Sequence, residues 1–382
     1  MELNMKRRDF IRLVGGGIVL AAAASQARAQ AGEPNAPWFS ASAEESDWRK
    51  QALAYAILAP NPHNRQPWLV DLRASGEVIL TCDPERLLPE TDPFSRQIII
   101  ALGAFIETFA IAASAGGRKV AIQLFPEGYP NDQIDQRPVA RITAAGTAER
   151  DPLFAHVLNR RSVKTPYDLA RPIPDTAQAA VATAFTLPGV KARLETDTNR
   201  MESIRGFMMR AGQIEAYTAR TWGESVRLMR IGRVENLRTP DGISMMGPPI
   251  ERMLAAGQIS REAISDPKGP AFQIGVERYV TSINATPAAH WIETADNTRE
   301  SQINAGRAYM RVALTAVAHG LAMHPISQML QEFPEMRDEY AAFHQYLGVS
   351  GAARVQMLAR IGYGPQVPPS PRWAAETRIV PR

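Results

Sequence analysis

Two stretches of this 382-residue chain share one pattern, and that pattern limits what the chain can fold into. At a constant offset of 203 residues, "RQIIIALGAFIETFAIAASAGGR" (from Arg96) lies over "RESQINAGRAYMRVALTAVAHGL" (from Arg299) without a gap. Arg96 falls on Arg299, Ile100 on Ile303 and Gly103 on Gly306. Ala110, Ala113, Ala115 and Gly117 fall on Ala313, Ala316, Ala318 and Gly320. Alanine matches cost little in an alanine-rich chain, so the arginine, isoleucine and glycine matches count for more. Residues 96–117 are apolar nearly all round, which predicts a buried helix, and residues 300–320 predict a second. The pattern is either a true internal repeat or two buried helices that independently chose small residues for close packing. A repeat divides the mature chain into two similar α+β halves, 42–150 and 151–382, and imitates a two-fold dimer within one chain. The seam of such a pair is a natural place for a ligand.

The first 29 residues read as a leader rather than as fold. A charged start (Lys6, Arg7, Arg8) precedes an apolar run from Leu13 and then Ala27-Arg28-Ala29, an A-x-A cleavage pattern. The run is too short for a stable membrane span. Arg7-Arg8 followed by Asp9, Phe10 and Ile11 fits a twin-arginine export signal. That route carries folded proteins, often with a cofactor already bound, and implies the twin-arginine machinery as a partner and a periplasmic or otherwise exported destination. The leader holds five basic residues against two acidic ones, so the formal +4 of the chain falls to +1 without it. The basic balance is then a targeting feature and is poor support for nucleic-acid binding. Cys82 is the only cysteine, which excludes an intrachain disulfide. The six histidines show no H-x-x-x-H or H-E-x-x-H spacing, so no metal site is expected.

Along the chain, "AGEPNAPWF" in residues 30–41 reads as a linker. Ser42 and Glu45 form an S-x-x-E pattern before an expected helix. "WLVDLR" and "EVILTCD" alternate around Ala74-Ser75-Gly76 and predict a hairpin. "KVAIQLF", "VARIT", "VKARLE" and "ARVQMLARIGYG" predict strands. Residues 152–159 and 175–186 predict short helices, and 199–231 one long helix. Residues 235–267 are rich in Pro, Gly and Met and predict a surface loop or a lid.

Three polar motifs stand apart from these elements. "ILAPNPHNRQPWLVDL" carries Asn61, Pro62, His63, Asn64 and Gln66 between a helix and a strand. "NRRSVKTPYD" carries Arg160, Arg161, Ser162 and Lys164. The C-terminal group has "HPISQ", with Pro325, Ser327 and Gln328, and then Arg372. Two arginines beside a serine can grip a phosphate, because guanidinium forks match its oxygens and the hydroxyl adds a donor. Asn and Gln amides can pair with a ring that alternates donors and acceptors. Each motif alone also has a bland reading, as an exposed arginine pair or a common Asn-Pro turn.

Together the motifs resemble the nitroreductase family. "APNPHNRQPW" before a strand is similar to the family's loop that holds a flavin ring, and "RRSVKTPYD" to its Arg-x-Ser-x-Lys motif for the FMN phosphate and ribityl chain. The order of the two is reversed here, which resembles the internally duplicated, single-chain branch of the superfamily. The resemblance implies an α+β, nitroreductase-like fold: two halves forming a pseudo-dimer around antiparallel sheets and long buried helices. It implies one FMN per chain. Arg160, Ser162 and Arg372 would contact the phosphate, with Arg161 a further candidate. Asn61, Pro62, Asn64 and Gln66 would lie against the ring, and Lys164 near its N1/O2 edge, where a cation raises the flavin potential. Pro325, Ser327 and Gln328 would approach N5. Pro62 departs from the family pattern, since proline cannot donate a backbone hydrogen bond.

The implied activity is that of an exported FMN oxidoreductase acting on a nitroaromatic, quinone or similar flat acceptor. Its electron donor is unknown, and the chain would be a monomer acting as a pseudo-dimer. His63 and Lys164 are the candidate catalytic residues. The alternative is a flavin-sequestering protein whose cofactor is covered by residues 235–267.

Overall fold

The computed structural model describes residues 32–41, 45–130 and 133–381. The expected leader and Ser42 lie outside these residues. After a single turn at Pro37–Ser40, helix α1 spans Trp48–Ala56. Its start is set by Asp47, whose carboxylate accepts from the Arg49 backbone N–H at 3.0 Å. Strands β1 (Trp68–Asp71) and β2 (Glu77–Cys82), helix α2 (Arg96–Ala115), and strands β3 (Arg118–Leu124) and β4 (Ala140–Thr147) follow. The strands form an antiparallel sheet in the order β1-β2-β4-β3. Alternation along β2 turns Val78, Leu80 and Cys82 inward, onto a core with Trp68, Phe105 and Phe109.

A 3₁₀ stretch at Pro152–Asn159 leads to helix α3 (Asp175–Ala182), β5 (Val190–Glu195), α4 (Thr198–Tyr217) and α5 (Ala219–Leu228). Next come β6 (Met229–Ile231), α6 (Gly232–Arg238), β7 (Ile243–Met245), α7 (Pro248–Ala255), α8 (Arg261–Ser265) and α9 (Pro270–Asn284). The chain ends through β8 (Ala288–Thr294), α10 (Arg299–Ala318), β9 (Ala322–Pro325), α11 (Arg337–Tyr346) and β10 (Arg354–Gly362). The second antiparallel sheet has the order β5-β8-β10-β9. Both sheets therefore trace one path: edge, inner, helix, opposite edge, inner.

The long helices α2 and α10 start and stop at the expected offset and pack on each other. A methyl on Gly103 would run into the Ile303 carbonyl, and one on Gly306 into the Ile100 carbonyl. The contact is reciprocal, as in an isologous interface. Arg96 and Arg299 act in the same way. Buried Arg96 crosses to the Gln356 carbonyl at 2.9 Å and to Leu330 O and Glu332. Arg299 crosses back to the carbonyls of Pro130 (3.1 Å) and Phe94 (2.9 Å). By length and composition α2 could cross a bilayer, but it is buried inside the fold as the sequence reading expected.

Two expectations change. The single helix over 199–231 is broken at Thr218, which is extended (φ −85°, ψ 109°) and starts α5 in a new direction. The Thr221 hydroxyl holds the break by donating to the carbonyls of Glu215 and Thr218. Residues 235–267 are built rather than irregular. With β6 and β7 paired in parallel, they enclose a small core of Val226, Met229, Ile231, Ile250, Met253, Ile259 and Ile264.

Candidate functional site

The three polar motifs meet at the carbonyl end of α1. A helix leaves its last carbonyls unpaired, and cations are favourable there. Arg372 donates from Nε to Ile57 O (2.9 Å) and from Nη2 to Leu58 O (3.4 Å) and Ala59 O (3.1 Å). Arg160 donates from Nη2 to Leu58 O at 3.0 Å. Residues 102 and 315 positions apart thereby fix one loop.

The loop beyond them is strained. His63, Asn64 and Gln66 have φ of 47°, 53° and 52°, the left-handed region that non-glycine residues avoid. The side-chain amides hold this shape. Asn61 Oδ1 accepts from Gln66 N (2.7 Å), and its Nδ2 donates to Ala59 O (3.1 Å). Asn64 Nδ2 donates to Pro371 O (3.0 Å), and its Oδ1 accepts from Arg372 Nη1. Gln66 is fully buried, donates to Pro240 O (2.8 Å) and accepts from Trp373 N (2.9 Å). The amides of Asn61, Asn64 and Gln66 thus each have partners within the protein and hold the loop's shape. Pro62 opens the short 3₁₀ turn that presents His63.

Arg160, Arg161 and Arg372 surround the indole of Trp38, with guanidinium carbons 5.8, 4.5 and 5.5 Å from its ring. Among the described residues no carboxylate pairs with any of the three. Burial lowers the pKa of Arg160; burial and the Arg160 charge push Arg161 down to about 10. Burial and the charges of Arg160 and Arg161 lower Arg372 well below the usual arginine value. Such a cluster favours an anion. Arg372 itself is spent: its Nη1 also donates to Ser370 Oγ (2.7 Å) and Pro371 O (2.9 Å). It supplies charge and positions the loop, while Arg161 lends only Nη1 to the Leu158 and Arg160 carbonyls.

Ser162 is exposed and bridges to Met323 in β9. The carbonyls around Lys164 are tied down by buried Arg360, which donates to Val163 O (3.1 Å) and Thr165 O (3.0 Å), and by Ser282, which donates to Lys164 O (2.8 Å). The Lys164 side chain reaches solvent, yet desolvation and the charge of Arg278 lower its pKa. Burial lowers the pKa of His63 and His324, and the Lys164 charge adds to the effect at both, after that of Arg360 at His324. Pro325 pairs with Ala359 in the sheet, and Ser327 and Gln328 open the turn after β9. His63 Nδ1 and His324 Nδ1 are buried without a partner among the described groups. Two surface hollows, around Lys50 and Ile379 and around Phe207 and Tyr346, include none of these residues.

Three participants were not singled out in the sequence. Trp38 sits in the expected linker but is buried, with Nε1 donating to Ser370 O at 2.8 Å. Glu215 and Ser225 belong to the stretch read as one helix, and Ser225 Oγ lies 3.0 Å from His63 Nε2. A tryptophan in a Pro/Gly segment was the one available signal.

Residues 262–363 match the Nitroreductase family. Two proteins of Mycobacterium tuberculosis (strain ATCC 25618 / H37Rv) align with most of the chain. "Putative NAD(P)H nitroreductase Rv3131" is 26% identical over 328 residues, covering 85% of this chain and 88% of that one. "Putative NAD(P)H nitroreductase acg" is 25% identical over 334 residues, covering 85% and 92%. Among solved structures, the FMN and NADPH-dependent nitroreductase NfnB from sphigopyxis sp. strain HMH is similar with a TM-score of 0.36 and 16% identity, over 61% of this chain and 99% of that one. This chain thus carries a Nitroreductase-family region at residues 262–363 and is similar, along most of its length, to proteins named as nitroreductases.

Proposed function

We propose that the chain is an exported, internally duplicated oxidoreductase of the nitroreductase type that holds one FMN and reduces a nitroaromatic, quinone or similar flat acceptor. The observation that carries the reading is a cationic group without a carboxylate, Arg160 and Arg161 beside the exposed Ser162 hydroxyl, joined to a strained loop. That donor set fits a phosphate monoester. Lys164 would set a positive charge beside the ring, and the Pro62–His63 turn would lie against it. The bound flavin supplies the two-electron chemistry; the protein supplies position, charge and exclusion of water. Residues 1–29 support export through the twin-arginine route. The relatives' names carry NAD(P)H as donor. An exported chain would instead draw on a membrane or protein donor.

One observation favours flavin storage as a second reading. Residues 240–242 are fastened to the loop, through Gln66 to Pro240 O, Gly242 N to Asn64 O (3.2 Å), and Asp241 to Arg65 and Arg86. The purified chain, chemically reduced and mixed with a quinone or nitroaromatic, separates the two. Reoxidation that rises with acceptor concentration is expected of the enzyme; reoxidation indifferent to acceptor leaves storage. One flavin per chain is expected, and the double variant Arg160→Ala, Ser162→Ala should lose it. A colourless wild type would sink the flavin reading altogether.

A further inference from the structure

Behind the loop, a polar path runs from the first sheet's half of the chain into the second. His63 Nε2 lies 3.0 Å from Ser225 Oγ, and that hydroxyl lies 3.4 Å from Glu215 Oε1. The other carboxyl oxygen, Oε2, accepts from Gln331 Nε2 at 2.9 Å. At the far edge of the imidazole, Nδ1 is buried and unpartnered among the described groups. We propose that Glu215, Ser225 and His63 form a proton relay that delivers a proton through His63 Nδ1 to an acceptor bound beside the loop. The proposal rests on the oxidoreductase reading above.

A buried glutamate can be purely structural, and Glu224 on the next helix shows what that looks like. Its two oxygens accept from Glu90 N (3.1 Å), Thr91 N (3.0 Å) and Thr91 Oγ1 (2.6 Å), so three donors satisfy it. Glu215 is likewise buried, pairs with no cation among the described residues and accepts one short hydrogen bond, from Gln331. The groups that face it are Glu224 from α5, Tyr279 from α9, Gln328 and Gln331 from the turn after β9, and His63 through Ser225. None of these is cationic at neutral pH. Burial pushes Glu215 up to about 7, against the hydrogen bonds of Gln331 and Ser225. Burial and then the charges of Lys164 and Arg65 push His63 down to about 4, so its ring is neutral. A neutral imidazole between two hydrogen-bonding sites can pass a proton without storing one.

The transfer balances in protons alone. An acceptor atom left negative by two-electron reduction takes the Nδ1 proton. Nε2 takes the Ser225 hydroxyl proton, and Ser225 takes the carboxylic acid proton of Glu215. Glu215 ends as a carboxylate, the imidazole stays neutral, and no electron moves through the path. A proton taken up at Nδ1 after product has left reloads the path in reverse. His63 sits in the left-handed region (φ 47°), with Nε2 at Ser225.

Two measurements test this. Infrared titration of the cofactor-free chain from about pH 5 to 9 should show a carboxylic acid C=O band that disappears as pH rises through about 7. The band should be absent in Glu215→Gln and shifted in Ser225→Ala. In the loaded protein, both variants should keep flavin and KM while kcat falls at least about tenfold, and the decline in kcat above neutral pH should flatten. A purely structural Glu215 would leave that limb unmoved. Glu215 ionised across the whole range, or a Glu215→Gln variant with the wild-type rate and pH profile, overturns the relay. A chain that binds no flavin overturns the oxidoreductase reading instead, and the infrared titration still decides whether the proton path exists.

Discussion

Two arginine clusters contact the same stretch of chain, and they are built differently. In one, Arg65, Arg86 and Arg230 converge on buried Asp241, at 3.8, 2.7 and 2.7 Å, and the Trp373 indole N–H adds a fourth donor at 3.3 Å. Burial alone would raise Asp241, but the hydrogen bonds from Arg230 and Trp373 and the charges of Arg86 and Arg230 hold it below the usual carboxylate range. In the other cluster, Arg160, Arg161 and Arg372 meet no carboxylate among the described residues; their partners are main-chain carbonyls, the Asn64 amide, the Ser370 hydroxyl and the face of Trp38. Cations buried with their counter-ion make a clamp. Cations buried without one make a receptor, because the missing charge must come from outside. The clamp fastens residues 240–242 to the loop; the receptor is where a phosphate would dock.

Breaking the clamp should have the largest effect. Asp241→Asn leaves the partly buried Arg65 and Arg230 without their anion and Arg86 with Asp83 alone, and removing one partner of a buried pair typically costs about 3–5 kcal/mol. Urea unfolding should show that loss as a lower midpoint at unchanged slope. A loss under about 1 kcal/mol would show that the two clusters do not differ in the way argued.

The receptor should respond to ligand where the clamp does not. FMN at one hundred times its dissociation constant should stabilise the folded chain by about 2.7 kcal/mol. Riboflavin, which lacks the phosphate, should do markedly less at equal concentration. Arg160→Ala should erase the difference between the two ligands in a thermal melt. If the two ligands stabilise wild type equally, the arginine cluster is not a phosphate site.

How much of this was legible follows from the range of the interactions. Helices α2 and α10 were readable because apolar periodicity is local and the offset repeats it. All four strands of the first sheet, and β5 and β10, were readable from their local patterns. Strand β8 was not, since "AAHWIET" is buried along nearly its whole length and shows no period of two. The loop and the Arg160–Lys164 motif stood out through composition, and Arg160 reaches the carbonyl of Leu58 just before the loop. The roles of the amides were not readable. Whether Gln66 faces a ring or Pro240 depends on partners 174 and 307 residues away. Glu215 and Ser225 looked like ordinary helix residues because their significance comes only from His63 across the seam.

Trp38 gives the smallest and most informative test of the contrast. Its indole is the surface against which the receptor arginines rest, and it belongs to a segment otherwise fastened by Arg372 N to Pro34 O (2.9 Å) and by the Arg233–Glu33 ion pair (2.8 Å). A cation–π contact with a partly desolvated guanidinium is worth about 0.5–2 kcal/mol. If the indole lines the phosphate site and keeps water from it, Trp38→Ala should weaken FMN binding by roughly threefold to thirtyfold, and Trp38→Phe should recover most of the loss. If the indole instead occupies the position the phosphate needs, Trp38→Ala should bind FMN more tightly. The sign, read from one fluorescence titration, decides whether residues 33–40 complete the receptor or compete for it.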